Sequence, residues 1–370
     1  MKKLLAVFLF LIALFFNSTN IVRAEDEFFK AKVTAITNQG QIINDSGTFL
    51  YQEINLKALD GGLKDKTINI SYGKDTNLTA AQLLNVGDIV VVDKTMGSNG
   101  SNIYQITDRY RLNSVVPILI FFFLIVIGLS QLKGVGSILG MFISLGVIIG
   151  YIVPQILKGQ NPLMVSVVGC LFIMITTIYL AHGFSRKTTI AVISTFLTLV
   201  GTAILASLFV KMTFLTGLGN DDASSLRFGL TTANIDFRGL LLGGILIGTL
   251  GVLDDVTTGL SASIYELIKV NPKIKFTELF KSGLAIGKEH ISSLVNTLVL
   301  AYAGASLPIF IIIILNPNHY PLWLILNDGL IIEEVVRTLA GSIGLVAAVP
   351  LTTLMAAFYF AKIRRPTLSE

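Results

Sequence analysis

The sequence predicts an α-helical polytopic membrane bundle of about seven transmembrane helices, preceded by a small all-β, OB-like extracytoplasmic domain. Two observations lead to this fold class. Of the 370 residues, 53% are hydrophobic and only 14% are charged, whereas soluble domains carry about 25% charged residues. Polar residues are concentrated before Ser114, and apolar runs separated by short polar segments follow it.

The N-terminus predicts an export signal. Two lysines precede an apolar run over residues 4–16, and the small residues up to Ala24 suit signal peptidase. We therefore predict a signal peptide over residues 1–24. The alternative is an uncleaved anchor, for which the run is short because a span needs about 20 residues. Under either alternative the domain that follows is exported.

Residues 25–112 are predicted to form the β domain. Alternating or β-branched runs bounded by Gly, Asn and Asp turns predict strands at 28–37, 49–58, 67–72, 89–93 and 103–107. Five short strands suit a small OB-like barrel. The domain lacks the interleaved aromatic and basic residues of a nucleic-acid site. Contact with a protein or ligand and a structural cap are the two alternatives for its role.

Residues 113–362 are predicted to form the transmembrane domain, and residues 363–370 a cytoplasmic tail. Apolar runs close to the length of a span lie at 114–131, 135–154, 162–181, 189–210, 238–259, 292–315 and 338–361. Gly244, Gly248 and Gly251 share one helical face, which indicates close contact with a neighbouring helix.

The basic residues predict the orientation, because cytoplasmic loops are enriched in Lys and Arg. The segments assigned to the inside hold Lys133, Arg186, Lys187, Lys269, Lys273, Lys275, Lys281, Lys288, Lys362, Arg364 and Arg365. The outer segments hold fewer, namely Lys158, Lys211, Arg227, Arg238 and Arg337. We therefore expect a multi-pass protein of the cell (cytoplasmic) membrane, with the β domain outside and the C-terminus inside.

Two segments interrupt the apolar pattern. Residues 260–291 read as an amphipathic helix that lies along the membrane surface. Residues 321–337 begin apolar and then carry acidic and basic side chains, which suits either an interfacial helix or a re-entrant segment.

Polar residues in the last three predicted spans form the candidate site. Charges are costly in hydrocarbon, so residues of this kind mark function. At 1.5 Å per residue, six of them share the cytoplasmic third of a core about 30 Å thick: Asp254, Asp255, Asn296, Thr297, Thr352 and Thr353. Their oxygen atoms suit a proton, Na⁺, another hard cation or a polar solute. The alternative is an interfacial position, with Asp254 exposed and Asp255 capping a neighbouring helix.

Glu334 and Arg337 are spaced to form an ion pair one helical turn apart, with Glu333 beside them. The pair either lies on a surface helix or is buried as neutralised charge. The apolar residues around it favour burial.

The sequence predicts no enzyme, cofactor or metal site. It has no Gly-x-Ser-x-Gly motif and no phosphate-binding loop. Cys170, the single cysteine, lies in an apolar run, and the three histidines fall in separate loops. The basic residues are dispersed, which also argues against a nucleic-acid partner.

Four strings resemble the signature of the YibE/F-like membrane proteins. They are residues 287–290, residues 296–308, residues 334–344, and Asp255-Val256 followed by Ser261, Ser263 and Glu266. The resemblance covers roughly residues 115 to 360 and implies a multi-pass bacterial membrane protein of unassigned biochemical role. It draws attention to Asp255, Glu266, Glu289, Asn296, Glu334 and Arg337. Glu289 departs from the pattern, which has aspartate there.

The leading functional hypothesis is a transporter or permease of a small polar solute or ion, with a polar site between the fifth, sixth and seventh predicted spans. The alternative is a membrane receptor or assembly factor whose extracytoplasmic domain binds a protein partner. The expected partners are the lipid bilayer and an unidentified solute or ion. Assembly into a homo- or hetero-oligomer stays open.

Overall fold

A computed structural model describes residues 28–44, 47–74, 78–96, 100–229, 235–316 and 319–363. The predicted signal peptide and the residues after Ile363 lie outside the described residues. Contacts divide the chain into a β unit that extends to Ile125 and a helical unit that starts at Val126.

The β unit contains a small antiparallel sheet. Its strands are β1 (Phe28–Asn44), β2 (Gly47–Ala58), β3 (Thr67–Tyr72), β4 (Ile89–Met96) and β5 (Asn102–Arg109). They pair in the order β3-β2-β1-β4-β5 and curve into a half-barrel. The alternation expected of strands appears in their burial, since Ile54, Leu56, Val90 and Val92 are fully buried while Lys57 is exposed. All five predicted strands are confirmed.

The rest of the described chain is mostly helical. Its helices are α1 (Leu112–Val147), α2 (Val153–Leu157), α3 (Pro162–His182), α4 (Arg186–Met212), α5 (Asp221–Gly229), α6 (Phe237–Val270), α7 (Phe276–Ala305), α8 (Leu307–Leu315), α9 (Leu322–Leu326) and α10 (Gly329–Ile363). A π-helical turn at Ile148–Ile152 joins α1 to α2. Within the described residues, 5 helical segments are long and apolar enough to cross a membrane, or 6 if α7 and α8, bent by 65°, form one span.

Helix α1 is broken at Gln131, whose backbone lies outside the helical region at φ 51° and ψ −131°. A Cβ atom on Gly134 would lie only 2.5 Å from the carbonyl oxygen of Val126, eight positions earlier. Those positions would be about 12 Å apart in a straight helix. The chain therefore folds back at Gln131, close to the polar break that the sequence places between two spans.

Helices α4, α6 and α10 pack against one another to form the core of the helical unit. Glycines bring the backbones close together. A side chain at Gly344 on α10 would collide with Thr202 on α4, and one at Gly243 on α6 would collide with Ser166 on α3. Helix α7 joins the core through Gly283, where a Cβ atom would lie 2.7 Å from a methyl carbon of Thr353.

The predicted surface helix is instead part of this core. Helix α6 continues to Val270 over 34 residues, and its side chains Ile264 and Ile268 are buried at 0% and 3% exposure. Helix α7 then begins at Phe276 and packs against α10 through Gly283 and Gly287. The apolar face that suggests a membrane surface in the sequence is covered by other helices of the chain.

The structure also describes the helices of the segment that precedes the last predicted span. A short helix, α9, ends at Leu326, and α10 then runs unbroken for 35 residues from Gly329. Glu333, Glu334 and Arg337 therefore lie in the first turns of the last helix. They are part of this long helix and not of a separate short helix or loop.

Candidate functional site

The two aspartates of α6 differ in their surroundings. Asp254 is partly buried, and its Oδ1 atom is shielded from solvent without a hydrogen-bond partner among the described residues. Asp255 is exposed, as expected for a neighbour turned about 100° around the helix. An unpartnered buried oxygen costs about 1–3 kcal/mol, and more when the group is charged. Asp254 is therefore the aspartate whose position lowers the stability of the fold.

The amide and hydroxyl predicted on α7 are exposed side chains. Asn296 and Thr297 are both exposed. The Thr297 hydroxyl donates to the carbonyl of Ser293 on its own helix, at 3.0 Å. The hydrogen bonds of the described residues do not join either side chain to Asp254. A shared site of these two residues with the aspartates therefore stays a prediction.

Thr352 and Thr353 on α10 are fully buried, and their hydroxyls have no partner within the described part of the chain. The hydroxyl of Ser342, on the same helix, is in the same state. Ser and Thr usually donate to the carbonyl four residues earlier in a helix. These three hydroxyls on one helix do not form that bond or any other with the described residues.

A further set of hydroxyls lines the contact between α4, α6 and α10, and the sequence reasoning missed it. Thr195 on α4 and Thr257 on α6 share a hydrogen bond of 2.6 Å. Ser261 on α6 donates to the carbonyl of Lys187, at 2.8 Å. The available signal was the spacing of Ser and Thr along α4, with hydroxyls at residues 194, 195, 198 and 202.

The glycine face of α6 receives polar side chains from two other helices. A Cβ atom on Gly244 would lie 3.4 Å from an Nη atom of Arg337 on α10. One on Gly248 would lie 3.4 Å from the hydroxyl of Tyr302 on α7. Among the described residues, no other part of the chain comes within 4 Å of the corresponding position on Gly251, which is exposed. A guanidinium and a phenol thus lie in contact distance of the glycine face, and the face is open one turn further along.

Arg337 is accompanied by a partner of opposite charge. Its Nε atom lies 3.3 Å from an oxygen of Glu334, and the two side chains are 22% and 30% exposed. The pair lacks the alignment of a hydrogen bond, so Nε has no hydrogen-bond acceptor among the described residues. Because the ion pair is poorly aligned, Arg337 loses less free energy on leaving Glu334 for a polar solute than it would lose from a fully hydrogen-bonded pair.

The other acidic residues singled out by the family resemblance lie at the surface. Glu266 is exposed and pairs with Lys269 at 3.0 Å. Glu289 is exposed on α7. Across the described residues, His, Cys, Asp and Glu nowhere form a cluster of three that could hold a metal ion.

Glu333 is a buried carboxylate whose role the sequence did not reveal. It is 2% exposed, and one of its oxygens accepts a hydrogen bond of 2.9 Å from the backbone N–H of Gly219, in the loop after α4. A Cβ atom on Gly219 would lie 2.7 Å from the Glu333 carboxyl carbon. The glycine therefore provides the space that the carboxylate occupies. Glu333 fastens this loop to α10.

Replacing Glu333 by Ala should lower the free energy of unfolding by about 1.5–3 kcal/mol, because a hydrogen bond to a charged group is lost. Glu333→Gln keeps an acceptor oxygen and should lose less. The thermal unfolding midpoint of the purified protein measures both changes. Glu289→Ala, at an exposed position, is the matched control and should leave the midpoint unchanged. Equal midpoints for Glu333→Ala and Glu289→Ala would contradict this role.

The family model described as "YibE/F-like protein" matches residues 118–362. This region contains α2 to α9, most of α1 and all of α10 except Ile363. Comparison with curated proteins gave no match, and comparison with solved structures gave none either. Since the family model covers well over half of the chain, including every residue of the candidate site, the protein belongs to the YibE/F-like family.

Proposed function

We propose that the helical unit crosses the membrane seven times. The five long apolar helical segments and the bent pair α7–α8 account for six passes. The reversal at Gln131 divides the first segment, which is 46 residues long, into two limbs. Each limb has close to the about 20 residues that a span requires.

The orientation in this proposal follows the basic residues, with the β unit outside and the C-terminus in the cytoplasm. The β unit is then an extracytoplasmic, OB-like domain, preceded by a signal peptide. Its strand order supports the OB-like fold, because β1 lies centrally between β2 and β4, and the two outer strands β3 and β5 contact each other. An OB fold is a five-stranded, partly open barrel.

The activity proposed is the transfer of a small polar solute or ion across the membrane. The observation that carries it is the arrangement on the glycine face of α6, where Arg337 and Tyr302 meet α6 beside open space at Gly251. Charged side chains within spans are expensive, and they commonly line the route of a solute or ion. The site is bounded by α6, α7 and α10, the helices of the three spans that the sequence singled out.

Deeper along α6, the route continues to Asp254. From the start of that helix, the residue lies about 25 Å along the axis, whereas Gly244 lies about 10 Å along it. A carboxylate oxygen without a partner can bind a proton or a cation that arrives from the open space. The buried hydroxyls of Thr352 and Thr353 supply further oxygens on α10.

A deletion strain screened for sensitivity to ions, metals and small polar solutes tests this function. Wild-type protein should restore growth under the condition that the screen reveals. Arg337→Gln should fail to do so at the same protein level in the membrane, because it removes the cation that lies against the glycine face of α6 at Gly244. Arg227→Gln, at an exposed position on α5, is the control and should restore growth fully.

Full complementation by Arg337→Gln would contradict the proposed site. The double variant Arg337→Gln/Glu334→Gln shows whether a failure arises from the unpaired Glu334, since the double variant is neutral but still lacks the cation. A chain lacking residues 28–108 separates transport from the receptor alternative. Transport should survive this deletion in part, whereas signalling from an extracytoplasmic partner should not.

A further inference from the structure

A cavity of about 520 Å³ opens between the start of α4 and the end of α10. Its volume falls in the range of small-molecule sites, about 300–1,000 Å³. The lining side chains are Phe184, Ser185, Arg186, Thr189, Ile190, Ile193, Met355, Phe358 and Tyr359. The cavity therefore combines an apolar wall with one cation and several hydroxyls.

The lining of this cavity carries one charged side chain, and its charge is positive. Arg186 is the only charged residue in the lining, and in the described structure its guanidinium forms no ion pair. The sequence contains no Asp or Glu over residues 109–220 or 335–369, which include all of α4 and the part of α10 after Glu334. Lys187 follows Arg186 in the chain, and the Lys362 ammonium lies 5.6 Å from the ring of Phe358. The cavity thus has the charge of an anion site.

The polar side chains of the lining belong to a local hydroxyl network. The Thr189 hydroxyl lies 3.0 Å from that of Tyr179, and the Ser185 hydroxyl lies 2.7 Å from that of Thr188. The ring of Phe184 stacks on Tyr179 at 4.4 Å but remains 82% exposed. An exposed aromatic ring beside hydroxyls and an arginine is typical of the level of lipid headgroups.

We infer that this cavity binds an anionic phospholipid. The guanidinium of Arg186 matches the geometry of a phosphate diester and can bind two of its oxygens. The apolar side chains Ile190, Ile193 and Met355 offer a surface for the acyl chains. Basic pockets between transmembrane helices on the cytoplasmic side bind acidic headgroups in this way. The inference rests on the proposed membrane placement and not on transport.

Native mass spectrometry of the purified full-length protein tests the inference. With equimolar phosphatidylglycerol and phosphatidylcholine, the wild type should retain several-fold more phosphatidylglycerol. Arg186→Gln should abolish this preference. Lys211→Gln removes an exposed cation from the last turn of the same helix and should keep the preference. An unchanged preference in Arg186→Gln would overturn the inference.

A second variant leaves Arg186 in place. Ile193→Trp should fill the cavity from an exposed position on α4 and reduce phosphatidylglycerol binding several-fold. Ile204→Trp, at another exposed position of the helix outside the cavity, should bind as the wild type does. Excess inorganic phosphate should not displace the lipid, because phosphate cannot use the apolar wall. Displacement by phosphate, together with normal binding in Ile193→Trp, would indicate a simple anion site and overturn the lipid assignment.

Discussion

Gly217→Ala is expected to destabilise the helical unit more than the other glycine-to-alanine substitution considered below. Gly217 has φ +78°, a left-handed conformation that costs other residues about 1–2 kcal/mol. Its Cβ atom would also collide with the backbone carbonyl group of Phe237, at the start of α6. Backbone cannot move aside as a flexible side chain can, so a packing cost of about 1–3 kcal/mol is added to the conformational cost.

The loop around Gly217 explains why this collision would spread. Leu215 accepts a hydrogen bond of 3.0 Å from Arg238 Nε, and Gly219 donates to Glu333. Moving the loop away from Phe237 would strain both bonds. The loop is thus fastened to the first turns of α6 and α10 within a few residues.

Gly159→Ala is the matched control for this prediction. Gly159 has φ +81°, and no atom lies within 4 Å of its Cβ position. The control therefore carries the conformational cost without the collision. Thermal unfolding of both purified variants at one scan rate should show a clearly larger drop in the midpoint for Gly217→Ala. Equal drops would mean that the loop yields freely and would refute the predicted collision.

The second large effect is expected on the proposed transport. Asp254→Asn should reduce activity to the level of the deletion strain, because an amide cannot bind or release a proton and binds cations poorly. The protein should still fold, since the neutral isostere removes a charged oxygen that is buried without a partner. A loss of activity with normal stability is the signature of a functional carboxylate.

Asp255→Asn supplies the comparison. It makes the same chemical change at the next residue, on an exposed side chain. We expect this variant to retain most of the activity of the wild type. Complementation of the deletion strain and the amount of protein in the membrane are measured side by side for the two variants. Normal activity in Asp254→Asn would remove this residue from the proposed route.

Periodicity and turn residues were sufficient to predict the β unit. The predicted strand at 67–72 has the observed bounds, and the one at 89–93 is extended by three residues to Met96. Turn residues mark where strands end, and alternation marks which face is buried. Both signals are local, so the chain reveals them without knowledge of the fold.

Counting residues along a helix predicts a level for each side chain, but it does not predict the direction in which the side chain points. Counting residues placed Asn296 at the depth of the aspartates, yet the structure leaves this side chain exposed. The rise per residue fixes a level in the bundle. The direction depends on how the helix is rotated against its neighbours, which is decided by contacts such as that of Gly283 with Thr353.

Contacts between distant residues were beyond the sequence. Glu333 binds the N–H of Gly219, 114 residues earlier, and a single chain carries no sign of that pairing. The amphipathic pattern of residues 260–270 likewise indicated an apolar face without showing what covers it. A helix face that contacts lipid and one that contacts other helices carry the same apolar side chains. The pattern alone therefore could not distinguish a surface helix from a packed one.

Helices α6 and α10 have a further mechanical consequence. At 34 and 35 residues, each is about 50 Å long, well beyond the about 30 Å hydrocarbon thickness of a bilayer. In the proposed membrane placement, a helix of that length tilts or projects from the bilayer. Because α6 and α10 are in contact along their lengths, leaning one of them carries the other with it. A small rotation at mid-membrane is thereby magnified into a displacement of the projecting ends, as at the tips of a pair of levers.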